Sequence, residues 1–410
     1  MKCLFKIAAA ALSMAALITA GTGCSGGTAD TASAPAETTV TTTAAPTGPV
    51  DGTYFPDSSN VKLIGRTHTE GDTLWLAQSA SGIEFTFKGT SASVDIVGDG
   101  SAFGQTDSMA RFAVYVNGER TEDKMVDNYM MTVDIFSSDE PQDVTVKILK
   151  LSESANSSFG IKNLNVTCEG GISPTPEKDL KIEFVGDSIT CGYGVDDEVK
   201  EHHFSTKTED ATKAYAVKTA EKLDADYSLV SYSGHGIISG YTSDPNKPVT
   251  SQLVPDIYEQ FAKSYGSASS YYTVDAPWDF SAFVPDYIVI NLGTNDDSYV
   301  KGKQEKKDEY IKEYAEFLKT VRKDNPDAHI IGALGLMGDS LYSSVEKAFE
   351  QYTADTGDTN VSTFHLSVQD MNANGIAADW HPSEKSHEIA AEELAGYIES
   401  LMTGTSADAA

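Results

Sequence analysis

The feature that most limits the possible folds of this chain is the alternation of strand-like and helix-like segments between residues 180 and 404. Short apolar runs alternate there with longer segments in which apolar residues recur every three or four positions. The predicted strands are 181–185, 227–231, 287–291, 329–333 and 361–365, and the predicted helices are 211–223, 305–322, 341–352 and 383–402. This alternation predicts a three-layer α/β/α domain with a parallel sheet.

The preceding segment, residues 51–170, has a different rhythm. Apolar and polar residues alternate with a period of two in several short runs, and no run has a convincing helical period. The run 111–116 ends at Asn117-Gly118, a dipeptide typical of hairpin turns. We therefore predict an accessory all-β sandwich, and its short, evenly spaced strands favour a jelly roll. The turn-rich stretch 170–176 separates it from the α/β domain.

The net charge limits the partners of the protein. The 410 residues include 61 acidic and 30 basic side chains, which gives a formal net charge of −31. A nucleic-acid-binding protein needs a basic face, so nucleic acid is not expected as a partner. An acidic surface of this kind is common in soluble secreted proteins, where it opposes self-association.

The N-terminus has the pattern of an export signal. Residues 1–23 combine a basic start with an apolar run too short for a comfortable membrane span. The sequence around Cys24 resembles a bacterial lipobox, in which this cysteine carries lipid, and residues 24–50 form a Thr/Ala/Pro-rich linker. We expect an extracellular protein, anchored by lipid to the bacterial cell surface, and plain secretion is the alternative.

Three predicted strands are each followed by a residue suited to ester chemistry. The first leads into Gly-Asp-Ser, which ends at Ser188, the second into Gly234 and the third into Asn295. Ligands of parallel sheets bind at the carboxyl ends of the strands, so these residues are expected at one edge. Ser188 is a candidate nucleophile, and its N–H, that of Gly234 and the amide of Asn295 are candidate oxyanion donors.

A candidate base precedes the final predicted helix, in the sequence Asp379-Trp380-His381-Pro382. A serine hydroxyl needs a neighbouring base to act as a nucleophile near neutral pH. The imidazole of His381 has a suitable pKa, and a partner on its second nitrogen would fix the tautomer. Asp379 is a candidate for that partner.

In the order Ser, Gly, Asn, His, these residues resemble the pattern of the SGNH (GDSL-like) hydrolases. With the preceding sandwich, the chain is most similar to carbohydrate esterase family 2, the acetyl xylan esterase type. The resemblance implies a serine esterase without cofactor or metal that removes acetyl groups from plant polysaccharides such as xylan and glucomannan. It also implies that Ser188 and His381 are catalytic and that Ser188, Gly234 and Asn295 hold the oxyanion.

The chain departs from the superfamily pattern beside the histidine. The acid usually stands three residues before the histidine, and that position here is Ala378. Asp379 lies two residues before His381, as in the esterase family that the chain resembles. Either its carboxylate reaches the imidazole, or its main-chain carbonyl orients the ring.

Two tryptophans are candidate sugar-stacking residues. Trp380 adjoins the base and is expected to line the site, whereas Trp278 is equally compatible with packing in the core. An extracellular location would place Cys168 and Cys191 in an oxidising compartment. They could form a disulfide there, or they could be two small buried residues without a covalent link.

Two other functions are compatible with the sequence. An SGNH esterase acting on another ester, such as a lipid or a bacterial glycan, is the first. A surface glycan-binding protein with an inactive hydrolase domain is the second, although the intact Ser188, Asn295 and His381 argue against it.

Overall fold

A computed structural model describes residues 48–104, 107–263 and 276–404. The predicted signal peptide, the lipid attachment at Cys24 and nearly all of the predicted linker lie outside the described residues. Both predicted domains belong to one compact unit, Pro46–Ala410.

The N-terminal domain is an antiparallel β structure. Its strands are β1 (Val50–Tyr54), β2 (Lys62–Ile64), β3 (Thr67–Glu70), β4 (Thr73–Leu76), β5 (Gly82–Gly98), β6 (Arg111–Val116), β7 (Glu119–Met125), β8 (Met130–Lys150) and β9 (Phe159–Pro174). The main hydrogen-bonded order is β3-β4-β9-β5-β8-β6-β7, while β1 pairs with β9 and β2 with β5. Register shifts interrupt the long β5, and such bulges let a sheet bend over its own core.

The period-two pattern of the sequence explains the core of this domain. Phe85 lies opposite Val146 and Ile83 opposite Ile148 in the β5–β8 pairing, and all four side chains are buried in one apolar cluster. Intervening side chains such as Glu84 face outward and are partly exposed. The prediction of an all-β accessory domain is confirmed.

The C-terminal domain contains a five-stranded parallel sheet with the order β11-β10-β12-β13-β14. Its strands are β10 (Leu180–Gly186), β11 (Ala225–Ser231), β12 (Tyr287–Asn291), β13 (His329–Leu336) and β14 (Val361–Val368). Each contains a predicted strand. The predicted α/β/α class is confirmed.

Helices cover both faces of the parallel sheet. They are α1 (Ser188–Cys191), α2 (Tyr215–Lys222), α3 (Thr294–Val300), α4 (Gln304–Asp324), α5 (Tyr342–Thr356), α6 (Met371–Asn374) and α7 (Glu384–Thr403). On β10, Phe184 packs with side chains from α2 and α7, whereas the next residue, Val185, packs with those from α4 and α5. Opposite orientation of neighbouring strand residues explains why β10 is apolar on both faces.

One predicted helix is shorter than expected. The segment 211–223 begins with a 3-10 turn at Ala211–Lys213, and Ala214 has an extended backbone before α2 begins at Tyr215.

Among the described residues, no helix has both the length and the apolar character that crossing a bilayer requires.

The two domains meet at a buried interface, the domain seam, to which Arg66 and Gln78 of one domain and Glu183 and Tyr232 of the other contribute. Arg66 of the N-terminal domain is fully buried, and its Nη2 lies 3.2 Å from each carboxylate oxygen of Glu183 in β10. Gln78 donates to the hydroxyl of Tyr232 at 2.8 Å across the same seam. Cys168 and Cys191 are both buried and unpaired, so the disulfide left open by the sequence is not formed.

Candidate active site

The carboxyl ends of three neighbouring strands lie level with one another and carry the site. Gly186, the last residue of β10, is in register with Ser231 of β11 and with Asn291 of β12. An added Cβ at Gly186 would lie 2.0 Å from Oγ1 of Thr190, so only glycine allows the chain to turn this closely into α1. The register of these strands therefore brings the residues that follow them to one edge of the sheet, as the sequence predicted.

The structure brings Ser188 and His381 together. Nε2 of the imidazole lies 2.8 Å from Oγ of Ser188. Nδ1 lies 3.1 Å from the main-chain carbonyl of Ala378, and a carbonyl accepts only, so Nδ1 carries the proton. The lone pair of Nε2 then faces the serine hydroxyl, as a general base requires. Ser188 and His381 remain 7% and 8% exposed, so a substrate can reach both.

Burial keeps the imidazole neutral. It lowers the pKa of His381 to about 4, although the carbonyl of Ala378, the charge of Asp379 and the carbonyl of Asp379 oppose this shift. The ring of Tyr193 stacks on the imidazole, with 3.9 Å between the centroids and 20° between the planes. His381 is therefore fixed in the unprotonated form that accepts a proton from Ser188.

The carboxylate of Asp379 does not orient the imidazole. It accepts hydrogen bonds from the hydroxyl of Tyr193 at 2.5 Å and from Nδ1 of His203 at 2.9 Å. The reason is local: the backbone of Asp379 is left-handed, with φ 47°, and its side chain is engaged with these two partners. The sequence left open the carboxylate or the main-chain carbonyl of Asp379 as the partner of the imidazole; in the structure, Nδ1 of His381 has its hydrogen bond with the carbonyl of Ala378, and the carbonyl of Asp379 makes a smaller contribution to the pKa of the ring. Asp379 therefore acts on the ring through its charge and through its hydrogen bond with Tyr193.

Gly234 lies on a loop that a buried carboxylate holds in place. Asp296, on α3, accepts the main-chain N–H groups of Ile237, Ile238 and Ser239 at 2.8–3.1 Å. Gly234 itself has φ 75°, a conformation that favours glycine. Its N–H and that of Ser188 have no acceptor among the described residues, so both remain available for an oxyanion.

Asn295 joins the loops of the site. Its Nδ2 lies 3.1 Å from a carboxylate oxygen of Asp187 and 2.9 Å from the main-chain carbonyl of His235. Both amide hydrogens therefore have an acceptor within the protein, and donation to an oxyanion requires Asn295 to share one of them. Burial raises the pKa of Asp187 to about 7, although hydrogen bonds to its carboxylate oppose the shift.

Comparison with known proteins agrees with this geometry. Residues 184–389 match the GDSL-like lipase/acylhydrolase family, and residues 63–176 match the carbohydrate esterase 2 N-terminal domain. The chain belongs to the GDSL-like lipase/acylhydrolase family, and its N-terminal domain is of the carbohydrate esterase 2 type. Members of this family are carboxylic ester hydrolases.

Two curated proteins and one solved structure are similar to this GDSL-like hydrolase. It is 30% identical over 330 residues to a cellulase/esterase of Acetivibrio thermocellus, a match covering 80% of this chain and 37% of that relative. It is 26% identical over 363 residues to an acetylxylan esterase/glucomannan deacetylase of Cellvibrio japonicus, a match covering 85% of this chain and 91% of that relative. The structure of an acetyl xylan esterase from Butyrivibrio proteoclasticus superimposes with a TM-score of 0.76 at 25% identity, and the match covers 87% of this chain and 99% of that esterase.

The two tryptophans of this GDSL-like hydrolase have different positions. Trp380 directly precedes the base and is 49% exposed, and Nζ of Lys200 lies 4.3 Å from the centroid of its ring. Trp278 packs instead against the guanidinium of Arg66, 5.3 Å from the ring centroid. The structure thus places Trp380 at the rim of the site and Trp278 at the domain seam, where it stabilises a buried cation.

Several residues at the site of this GDSL-like hydrolase were not predicted from sequence. Asp296 follows Asn295 directly, yet its contacts lie almost 60 positions away in the chain, and no local pattern encodes them. Tyr193 stacks on His381 from the turn after α1. His387, on α7, is buried, and its Nδ1 accepts the N–H of Tyr215 at 3.2 Å.

One group of potential metal ligands exists among the described residues of this GDSL-like hydrolase. Glu153, Cys191 and Glu209 are buried, with ligand atoms within 4.8 Å of one another. The ammonium of Lys150 lies in the same buried environment and interacts electrostatically with both glutamates. Lys150 therefore already provides a positive charge beside these two glutamates.

Proposed function

We propose that this protein is a carbohydrate O-acetyl esterase that removes acetyl groups from plant cell-wall polysaccharides such as xylan and glucomannan. The observation that carries the proposal is the 2.8 Å contact between Oγ of Ser188 and Nε2 of His381. The curated relative from Cellvibrio japonicus, which is named an acetylxylan esterase/glucomannan deacetylase, supports the choice of substrate.

The proposed reaction begins with acylation of Ser188. Nε2 of His381 takes the hydroxyl proton while Oγ attacks the acetyl carbonyl carbon, giving a tetrahedral intermediate. The N–H groups of Ser188 and Gly234, with a shared hydrogen of Asn295, stabilise the oxyanion. The carbonyl of Ala378 holds Nδ1–H throughout. The carbon–oxygen bond to the sugar then breaks, and the sugar hydroxyl leaves with the proton from Nε2.

Deacylation repeats these steps with water. Nε2 of His381 takes a proton from water, whose oxygen attacks the acetyl-enzyme. The bond between the acetyl carbon and Oγ then breaks, Nε2 returns its proton to Oγ of Ser188, and the acetyl group leaves as acetic acid, which ionises to acetate. Trp380 offers an exposed aromatic face beside the base, on which a sugar ring can stack.

The test is acetate release by Pro46–Ala410, the compact unit, from acetylated xylan, acetylated glucomannan and a small aryl acetate. Ser188→Ala should abolish release from all three, because it removes the nucleophile. Ser157→Ala is the matched control, since Ser157 is buried in the N-terminal domain and its hydroxyl has no partner.

The possible outcomes separate the competing functions. Activity on the aryl acetate alone would contradict the polysaccharide assignment and favour an esterase acting on another ester. A folded but inactive wild-type protein would contradict the catalytic assignment and favour a glycan-binding role.

The location of the protein is a second part of the proposal. The export signal and the lipobox-like sequence at Cys24 support a lipid-anchored protein at the bacterial cell surface, with the Thr/Ala/Pro-rich linker as a tether. Metabolic labelling of cells with a fatty acid should label the full-length protein and not Cys24→Ala. Equal labelling of the two would contradict the anchor.

A further inference from the structure

A glutamate of the N-terminal domain reaches the loops that carry the nucleophile and Gly234. Glu153 lies on the connection between β8 and β9 and is 1% exposed. Its Oε2 accepts the main-chain N–H of Ser233, the residue before Gly234, at 2.7 Å. The same oxygen lies 3.8 Å from Sγ of Cys191, the last residue of the short helix that begins with Ser188.

The connection that carries Glu153 is itself fixed by buried charged groups. The carboxylate of Glu209 accepts the main-chain N–H of Glu153 at 2.9 Å. Nζ of Lys150 donates to the carbonyls of Ser152 and Glu153. Burial lowers the pKa of Lys150 to about 8, although the charges of Glu209, Asp99 and Glu153 oppose this.

Burying so many ionisable groups carries a desolvation cost, which a purely apolar seam would avoid. The geometry gives the cluster a specific role. Glu153 binds the N–H of the Tyr232–Ser233 peptide, and the next peptide, between Ser233 and Gly234, carries the N–H that is proposed to bind the oxyanion. Such a donor is effective only when it lies 2.7–3.1 Å from the oxyanion, so a small rotation of this peptide weakens it.

We propose that Glu153 is a positioning residue: by holding the main-chain N–H of Ser233, it sets the orientation of the adjoining Ser233–Gly234 peptide relative to Ser188. The N-terminal domain thereby supplies part of the support for the oxyanion donors. This inference rests on the proposed function for its kinetic consequence, whereas its structural consequence, the immobilised Ser233–Gly234 peptide, is independent of that function.

The kinetic test uses three substitutions of Glu153 in Pro46–Ala410. Glu153→Ala should lower kcat for the aryl acetate roughly 10-fold to 100-fold, less than the 10²–10³ expected when an oxyanion donor is lost outright. KM should change less than about twofold, because uniform binding is unaffected. Glu153→Asp, which moves the carboxylate back by one methylene, should also lower kcat. Glu153→Gln keeps an acceptor oxygen in place and should restore most of the activity.

Glu183→Gln is the matched control. Glu183 is also a buried glutamate at the domain seam, but its partners include Arg66, Ser228 and Tyr258 and none of the catalytic loops. Its kcat should stay near that of the wild type. An equal fall in kcat for Glu183→Gln would overturn the proposal, since it would indicate a general effect of loosening the seam.

Hydrogen exchange gives a readout that does not depend on activity. In Glu153→Ala and Glu153→Asp, peptides covering residues 232–239 should exchange faster, while peptides covering α4 should be unchanged. Unchanged exchange in residues 232–239 would overturn the positioning role, whatever the kinetics show. If the wild type is inactive on every ester, the proposed function fails, and the exchange result alone decides the role of Glu153.

Discussion

The base of this site is oriented by a neutral group. A main-chain carbonyl fixes the tautomer of His381 as a carboxylate would, but it stabilises the imidazolium less because it carries no full charge. Asp379 lies close enough to interact electrostatically with the ring, while its hydrogen bonds go to Tyr193 and His203. Its contribution is therefore the placement of Tyr193 against the imidazole and a weak electrostatic effect.

Asp379→Asn should consequently lower kcat by less than about tenfold, well short of the roughly 10⁴-fold loss that follows when a directly bonded triad aspartate is changed. The measurement is steady-state hydrolysis of the aryl acetate. Asp197→Asn is the matched control, because Asp197 forms a similar contact with Nδ1 of His202 at 2.8 Å. A loss of three or more orders of magnitude in Asp379→Asn would show that the carboxylate acts directly on His381.

At the scale of elements, the site depends on loops that follow three strands ending level. The strands, their parallel arrangement and the functional residues that follow them were predictable, because apolar periodicity and strand length are local properties. The contact of Asp296 with the loop after Gly234 was not, since a buried carboxylate bonded to main-chain N–H groups has no local pattern. The shift of the orienting carbonyl to Ala378 likewise depends on the left-handed backbone of Asp379 and Trp380.

Asp296→Asn tests how much the loop depends on this carboxylate. Oδ1 of Asp296 accepts all three N–H groups, and Oδ2 accepts a second time from Ile237. An amide keeps one acceptor oxygen but loses the negative charge and places an NH2 donor beside the N–H of Ile237, so these contacts should weaken. We expect the free energy of unfolding to fall by about 1–3 kcal/mol and kcat to fall because Gly234 is displaced. Urea unfolding and steady-state kinetics measure these effects. Asp297→Asn, on the same helix and partly exposed, should change neither quantity, and an equal effect there would contradict the assignment.

At the scale of the whole molecule, the accessory domain contributes buried polar groups to the hydrolase domain. The sequence predicted an accessory all-β domain, but the contacts between the domains come from single residues far apart in the chain and could not be predicted from local patterns. Arg66 is one of the largest fully buried side chains among the described residues, and its guanidinium lies 5.1–5.3 Å from the ring centroids of Tyr258, Trp278 and Phe280.

Arg66→Ala should lower the free energy of unfolding by about 3–5 kcal/mol, because it leaves Glu183 buried without its cation. Denaturant unfolding of Pro46–Ala410 measures this change. Lys88→Ala, which removes an exposed ion pair with Glu169, should have little effect. A similarly small effect of Arg66→Ala would mean that the buried pair contributes little to holding the domains together.

The two unpaired thiols have a consequence for handling the protein. Cys168 and Cys191 are fully buried, and burial raises the pKa of the Cys191 thiol, which disfavours the reactive thiolate. The folded domains therefore have the same covalent structure under oxidising and reducing conditions. In Pro46–Ala410, a cysteine introduced on the surface would be the preferred target of maleimide reagents, so the enzyme can be immobilised through one chosen point without first removing its own thiols.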